Sequence, residues 1–340
     1  VSSSVPQPVQ PQTRRSIPGW LPGILVTLIA FVFLAVKVDW PEFFRELATF
    51  PVGVLLLAVA LYLVSMVARG MASYMLLQRK VPVTTAIVVM NEGYFLNNIL
   101  PARIGELGRA FLMGRRSGLG TLWVLSTIVV ERAYDVAFAA ALLLMTLPLV
   151  LKMDQSNPLA LILLVVIVLG LFALYLAARN RAWLEVQLER LTSNRAFLKR
   201  WVLPSLRSLL DGFSVLARPE YFFFSLFFMA LTWGLALLRD WVLIKTLAPE
   251  ALFWWAVLAI SASNLAGALP STMASLGVFE AGAVAALSLV GVPSEQALAY
   301  ALIVHITHLI SSSLIGAFGL SQEGKSVAEL YAEIRSANRT

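Results

Sequence analysis

Residues 159–178 read LALILLVVIVLGLFALYLAA, twenty positions without a charged side chain. At ~1.5 Å rise per residue, a helix of this length covers a hydrocarbon core of about 30 Å. Lipid offers no partner to a backbone amide, so such a run crosses as a helix or as one strand of a closed barrel, and the polar/apolar alternation of a barrel strand is missing. Working outward, apolar runs recur at 19–36, 51–68, 123–151, 221–238, 252–269 and 297–320. The 340 residues are 59% hydrophobic and 13% charged, against about 25% charged in soluble domains, and mean hydropathy is +0.82. The fold class is therefore all-α: a polytopic integral membrane protein with about six to eight transmembrane helices.

Composition also excludes several chemistries. With no cysteine and two histidines, the chain offers no disulfide, thiol nucleophile or thiolate metal site, and no metal is expected. No P-loop or dinucleotide glycine pattern occurs, so no cofactor is expected either. The formal net charge is +7, but the basic residues lie between apolar runs. That distribution fits membrane orientation and contact with anionic lipids, with no nucleic acid as partner.

The charges between the runs order the chain. Residues 1–18, rich in Ser, Pro and Gln, read as a disordered cytoplasmic tail; 19–320 form the membrane domain, with a basic cytoplasmic connector at 179–220; 321–340 form a charged C-terminal tail. Lys37, Asp39, Glu42, Arg45 and Glu46 sum to −1, whereas Arg69, Arg79 and Lys80 sum to +3. This contrast sets the first loop outside and the second inside. The stretch 81–100 then has basic groups on both sides, which predicts a re-entrant or broken helix that enters from the cytoplasm and returns to it.

That stretch leads into the strongest local signal, Asn97-Asn98-Ile99-Leu100-Pro101-Ala102-Arg103-Ile104-Gly105-Glu106-Leu107-Gly108-Arg109. Asparagine amides satisfy carbonyls freed where proline interrupts a helix, and glycines allow close backbone approach. Glu106 and Arg109 lie three apart and are expected to pair. A second stretch, Asn264 to Pro270 followed by Gly277 and Glu280, repeats the order Asn, Pro, Gly, Glu. Interrupted helices at corresponding places predict two pseudo-repeated halves around a central transport site.

A charge at the bilayer centre costs about 2.5–3.5 kcal/mol on insertion scales, so it must face protein or a wet cavity. Glu92, Glu106, Glu131, Arg132, Asp135 and Glu280 are the residues to explain. Two readings stand for Arg132: an ion pair with the flanking Glu131 and Asp135, or, with Arg103 or Arg109, a grip on a lipid phosphate, whose oxygens match the guanidinium fork. His305 and His308, three apart on the last run, serve interhelical hydrogen bonding or a proton-linked role. Gly316 and Gly319 are suited to a close helix contact.

The ordered segments NNILPARIGELGRAFLMGRR (97–116), VVERAYDVAF (129–138), SNLAGALP (263–270) and SLGVFEAGAVAALSLVG (275–291) resemble the hallmark segments of the flippase-like family related to the membrane region of lysylphosphatidylglycerol synthase. The resemblance implies a helical membrane domain that moves a phospholipid or a polyprenyl-phosphate-linked substrate, such as a lipid-linked glycan, between leaflets. It implies pathway roles for Asn98, Pro101, Arg103, Glu106, Arg109, Glu131, Arg132, Asp135, Asn264, Pro270 and Glu280, to which the residues themselves add Glu92. Where relatives have a glycine-rich approach to the glutamate, this chain has Ser271-Thr272-Met273-Ala274-Ser275-Leu276-Gly277. No interval of the sequence suits the soluble aminoacyl-transfer domain of the family's synthases, so the chain is expected not to be an enzyme, and to work with a separately encoded lipid-modifying enzyme in a bacterial or archaeal plasma membrane. A membrane-embedded transferase and a non-catalytic scaffold are the alternative functions.

Overall fold

The computed structural model describes residues 21–100, 104–150, 218–269 and 273–322, together with positions 165, 169 and 180. The tail 1–18, nearly all of the 159–178 run and of the connector, the C-terminal tail beyond 322, and Pro101, Arg103 and Pro270 lie outside the described residues. Within them the chain is all helix: α1 (Leu21–Lys37), α2 (Trp40–Thr49), α3 (Val52–Leu76), α4 (Val83–Ile99), α5 (Gly105–Ser117), α6 (Thr121–Val150), α7 (Pro219–Leu247), α8 (Phe253–Ala268), a 3₁₀ turn Met273–Ser275, α9 (Val278–Ser288) and α10 (Ser294–Ser321).

Four of these, α3, α6, α7 and α10, are long and apolar enough to cross a membrane, and α1 with α2 makes a fifth candidate if that pair, bent by 88°, counts as one span. The bend follows from local chemistry. Asp39 caps α2 by accepting a hydrogen bond from the Glu42 amide, and a proline sits in the first turn, so a new helix starts instead of α1 continuing. α2 buries Phe43 while leaving Phe44 exposed, as an amphipathic segment at an interface does.

The helices α4, α5, α8 and α9, with 17, 13, 16 and 11 residues, are too short to span alone. They pack as two antiparallel hairpins, α4 on α5 and α8 on α9. Gly93 faces Arg109 while Asn97 faces Gly105, and Gly282 lies against Ala262 and Ala266. The long helices then enclose the hairpins: α3 lies along α7, α10 packs on α4, and α6 packs on α8. Gly316 and Gly319 make the α4–α10 approach close, since a Cβ on either would collide with Asn91 or with Glu92 and Val88. Replacing Gly105 by Ala drives a methyl into the Gly93 carbonyl and the Asn97 amide. Neighbouring backbone cannot yield cheaply, so a stability loss of roughly 1–3 kcal/mol is expected in a detergent unfolding titration.

Two apolar runs end later than the sequence suggested. The run 51–68 was expected to stop before Arg69, yet α3 continues to Leu76 with Arg69 8% exposed. Likewise Arg239 and Asp240, expected to close the 221–238 run, lie buried inside α7, which reaches Leu247. Both helices continue because each buried charge has an opposite charge against it.

Candidate functional site

Charges buried among apolar helices persist only when they are paired, and the pairs here fall into distinct groups. The first is a chain of four residues from three helices. Arg69 of α3 pairs with Asp135 of α6; Arg132 Nη1 donates to Asp135 Oδ2 at 3.1 Å, and Arg132 Nε lies 2.7 Å from Glu106 Oε1 of α5. Trp233 Nε1 donates to the other Asp135 oxygen at 3.3 Å. The second group is dry. Arg109 grips Glu131 in a two-pronged contact at 2.6 and 2.8 Å and also donates to Ser73 Oγ at 2.7 Å, with the two ionic side chains only 4% and 2% exposed. In the third, Arg239 Nε donates to Asp240 Oδ1 at 2.7 Å. In the fourth, His305 Nδ1 lies 2.5 Å from Glu280 Oε1. The fifth joins Arg116 to the buried Glu92 at 2.8 Å, away from the rest.

The first group lines a cavity of about 310 Å³ in the middle of the bundle. Its walls include Arg69, Glu106, Arg132, Asp135 and Arg239, the asparagines Asn97, Asn98 and Asn264, the rings of Tyr62, Tyr94 and Trp233, and His305 and His308. Both hairpins reach it, one through Asn97, Asn98 and Glu106, the other through Asn264, Ala274 and Ser275. The cavity is not sealed, because Val136, Asn264 and Ala268 among its lining residues are exposed. Two buried polar atoms of lining residues, Arg69 Nε and Asn97 Oδ1, have no hydrogen-bond partner among the described residues, whereas Arg132 Nε lies against the Glu106 carboxylate. Arg132 is in addition 35% exposed. The site thus gathers three guanidinium groups and their carboxylates beside an apolar wall of Met66, Val136, Ala139, Ile260 and Leu265.

The residues singled out from sequence that the structure describes separate into two positions. Asn98, Glu106, Arg132, Asp135, Asn264, His305 and His308 come together around the cavity. Asn98 also donates to Ser312 and Ser313 of α10, at 3.1 and 3.0 Å, which ties the first hairpin's turn to the last helix. Arg109, Glu131, Glu92 and Glu280 stand outside the lining. Two expected pairings are corrected: Arg109 meets Glu131 and not Glu106, and Arg132 meets Glu106 and Asp135 and not Glu131. Arg109 is therefore committed, and its expected place beside Arg132 is taken by Arg69 and Arg239. Those two arginines, with Tyr62, Tyr94 and Trp233, were missed. The available signal was the apolar sequence that resumes immediately after Arg69 and after Arg239-Asp240.

Among the described residues no group of His, Cys, Asp or Glu is arranged to hold a metal ion. The protein-family model described as the lysylphosphatidylglycerol synthase TM region matches residues 20–316. No curated protein matches the chain.

Proposed function

The chain belongs to the lysylphosphatidylglycerol synthase TM region family, and from that premise we propose that it moves a phospholipid or a polyprenyl-phosphate-linked substrate from one leaflet to the other, without chemical change. The observation that carries this reading is the unsealed cavity with Arg69, Arg132 and Arg239 on its walls, Arg132 being 35% exposed there. A phosphate oxygen matches such donors, and charge-assisted contacts of this kind are the strong ones. The acyl or prenyl chains stay outside, along the apolar opening at Val136 and Ala268, while the headgroup crosses through the polar interior.

The same reading takes the two halves as repeats of one unit, and the order and packing of the helices support it. The orders α3–α4–α5–α6 and α7–α8–α9–α10 are both long, short, short, long. Exchanging the halves turns the α4–α10 packing into α8–α6 and leaves α3–α7 unchanged. Broken helices at matching places around a midplane site are the arrangement used for alternating access. On this reading α3, α6, α7 and α10 cross the membrane, with α1 and α2 as a bent fifth span. On the same reading the protein resides in a bacterial or archaeal plasma membrane among anionic lipids, and a separate enzyme supplies its lipid.

The test is reconstitution of the purified protein into liposomes containing fluorescent phospholipids or polyprenyl phosphates, with chemical quenching of the outer leaflet. Movement above empty liposomes for at least one headgroup is expected. A folded preparation that moves none of them overturns the reading, and a modified lipid product recovered from the same vesicles favours a transferase.

A further inference from the structure

Each hairpin has its second limb tied to the following long helix by one buried pair. In the first half the tie is Arg109 to Glu131, and in the second it is Glu280 to His305, with side chains 4% and 6% exposed. The two ties differ in one chemical respect. Arginine keeps its proton under all ordinary conditions, whereas an imidazole can gain one and give it up.

Counting hydrogens at His305 sharpens the contrast. Its Nε2 lies 3.0 Å from the Ala274 carbonyl oxygen, and its Nδ1 lies 2.5 Å from Glu280 Oε1. A carbonyl only accepts, so Nε2 must carry a hydrogen. A neutral imidazole has a single N–H, which would leave bare Nδ1 facing a carboxylate, two lone pairs in contact. The arrangement closes only with one more proton on the pair, either on Nδ1 or on Glu280. The other Glu280 oxygen is occupied, accepting the Gly277 amide at 2.8 Å.

These contacts, with the Ser275 hydroxyl donating to the Gly267 carbonyl oxygen at 3.2 Å, hold a turn whose backbone is strained. Ala274, Ser275 and Gly277 have φ of 55°, 59° and 81°, and a left-handed residue other than glycine costs about 1–2 kcal/mol. Ala274 and Ser275 line the cavity. We infer that His305 and Glu280 together bind one proton that latches the 273–277 turn against α10, and that giving this proton up to water in the cavity frees the turn.

Resting on the transport reading, this makes the second hairpin a proton-governed gate while the first stays fixed. The neighbouring charges do not duplicate the role. From α10 itself His308 meets Tyr62 of α3 at 3.0 Å, and Tyr300 lies beside Asp240. Arg239 of α7 and Arg69 of α3 each have a carboxylate partner, as does Arg132 across the cavity. Tyr94 of α4 stacks edge-on against His308. Glu46 of α2 reaches α10 at Gln296, and Glu92 of α4 lies against Gly319, both more than two turns from His305.

Because the chain has no cysteine, a single Met273→Cys carries a spin label on the turn, and Leu100→Cys carries one on the first hairpin as the internal control. In liposomes, the ratio of mobile to immobile label at 273 is expected to rise about tenfold per pH unit above its midpoint, the slope of one proton, while the label at 100 does not respond. Glu280→Gln should hold the turn closed at every pH, since its amide still accepts from Gly277 and donates to neutral His305. His305→Ala should leave it mobile at every pH; if that variant does not fold, Glu280→Gln decides alone. A label at 273 indifferent to pH in the unmodified background, or a slope that survives Glu280→Gln, overturns the latch. The readout needs no lipid movement, so an inactive transport assay with a responsive label sinks the transport reading alone, and active transport with a rigid label sinks the latch alone.

Discussion

Replacing Glu131 by Ala is expected to cost about 3–5 kcal/mol of stability, because it strands the Arg109 guanidinium in a dry interior. The side chain is 4% exposed, and after the loss of both carboxylate contacts only Ser73 remains as a partner. A folded protein of about 5–15 kcal/mol total stability has little room for such a loss. The companion experiment separates charge from packing. Arg109→Leu combined with Glu131→Leu removes both charges at once and should recover most of the stability, since a hydrophobic pair often matches a buried ion pair. Unfolding titrations in detergent on both variants check this. A single Glu131→Ala that unfolds with the wild-type midpoint would mean that the contact contributes nothing.

Arg132→Gln is expected to slow lipid movement roughly 10- to 100-fold while leaving the fold intact, on about 1.5–3 kcal/mol for a hydrogen bond to a charged group. The fold should survive because Asp135 keeps Arg69 as its counter-charge, and Glu106, at 26% exposed, is not sealed in. Arg132→Lys keeps the charge and loses the planar fork, so an intermediate rate is expected. Initial rates in liposomes, each set beside the unfolding midpoint of the same preparation, check both. A folded Arg132→Gln protein that moves lipid at the wild-type rate would remove the guanidinium from the pathway.

The crossing helices were legible because their signal is local. The runs at 51–68, 123–151, 221–238 and 297–320 each fall in a helix long and apolar enough to cross, whereas the more polar stretch 81–100 forms a helix too short to span alone. Asn98 and Asn264 flagged the places where α4 and α8 end. The pairings were not legible, because they join residues far apart in the chain: Asp135 meets Arg69 across 66 positions, and Glu131 meets Arg109 across 22. Sequence spacing favoured Glu106 with Arg109, but an i,i+3 pair contributes only about 0.2–0.5 kcal/mol. A two-pronged buried contact outweighs that, and it draws Arg109 toward α3 and α6 while leaving Glu106 at the cavity. The same effect hid Arg69, which reads as the first charge of a loop until its partner on α6 is known.

The route itself can be tested by obstruction. Ala236 of α7 lines the cavity, whereas Val129 of α6 is 45% exposed and does not line it. In the cysteine-free chain, Ala236→Cys and Val129→Cys each accept one bulky thiol reagent that reduction removes. Lipid movement in liposomes should stop when residue 236 is modified and return on reduction, while modification at 129 leaves the rate unchanged. Movement that continues at full rate with the cavity filled at 236 would contradict passage through it.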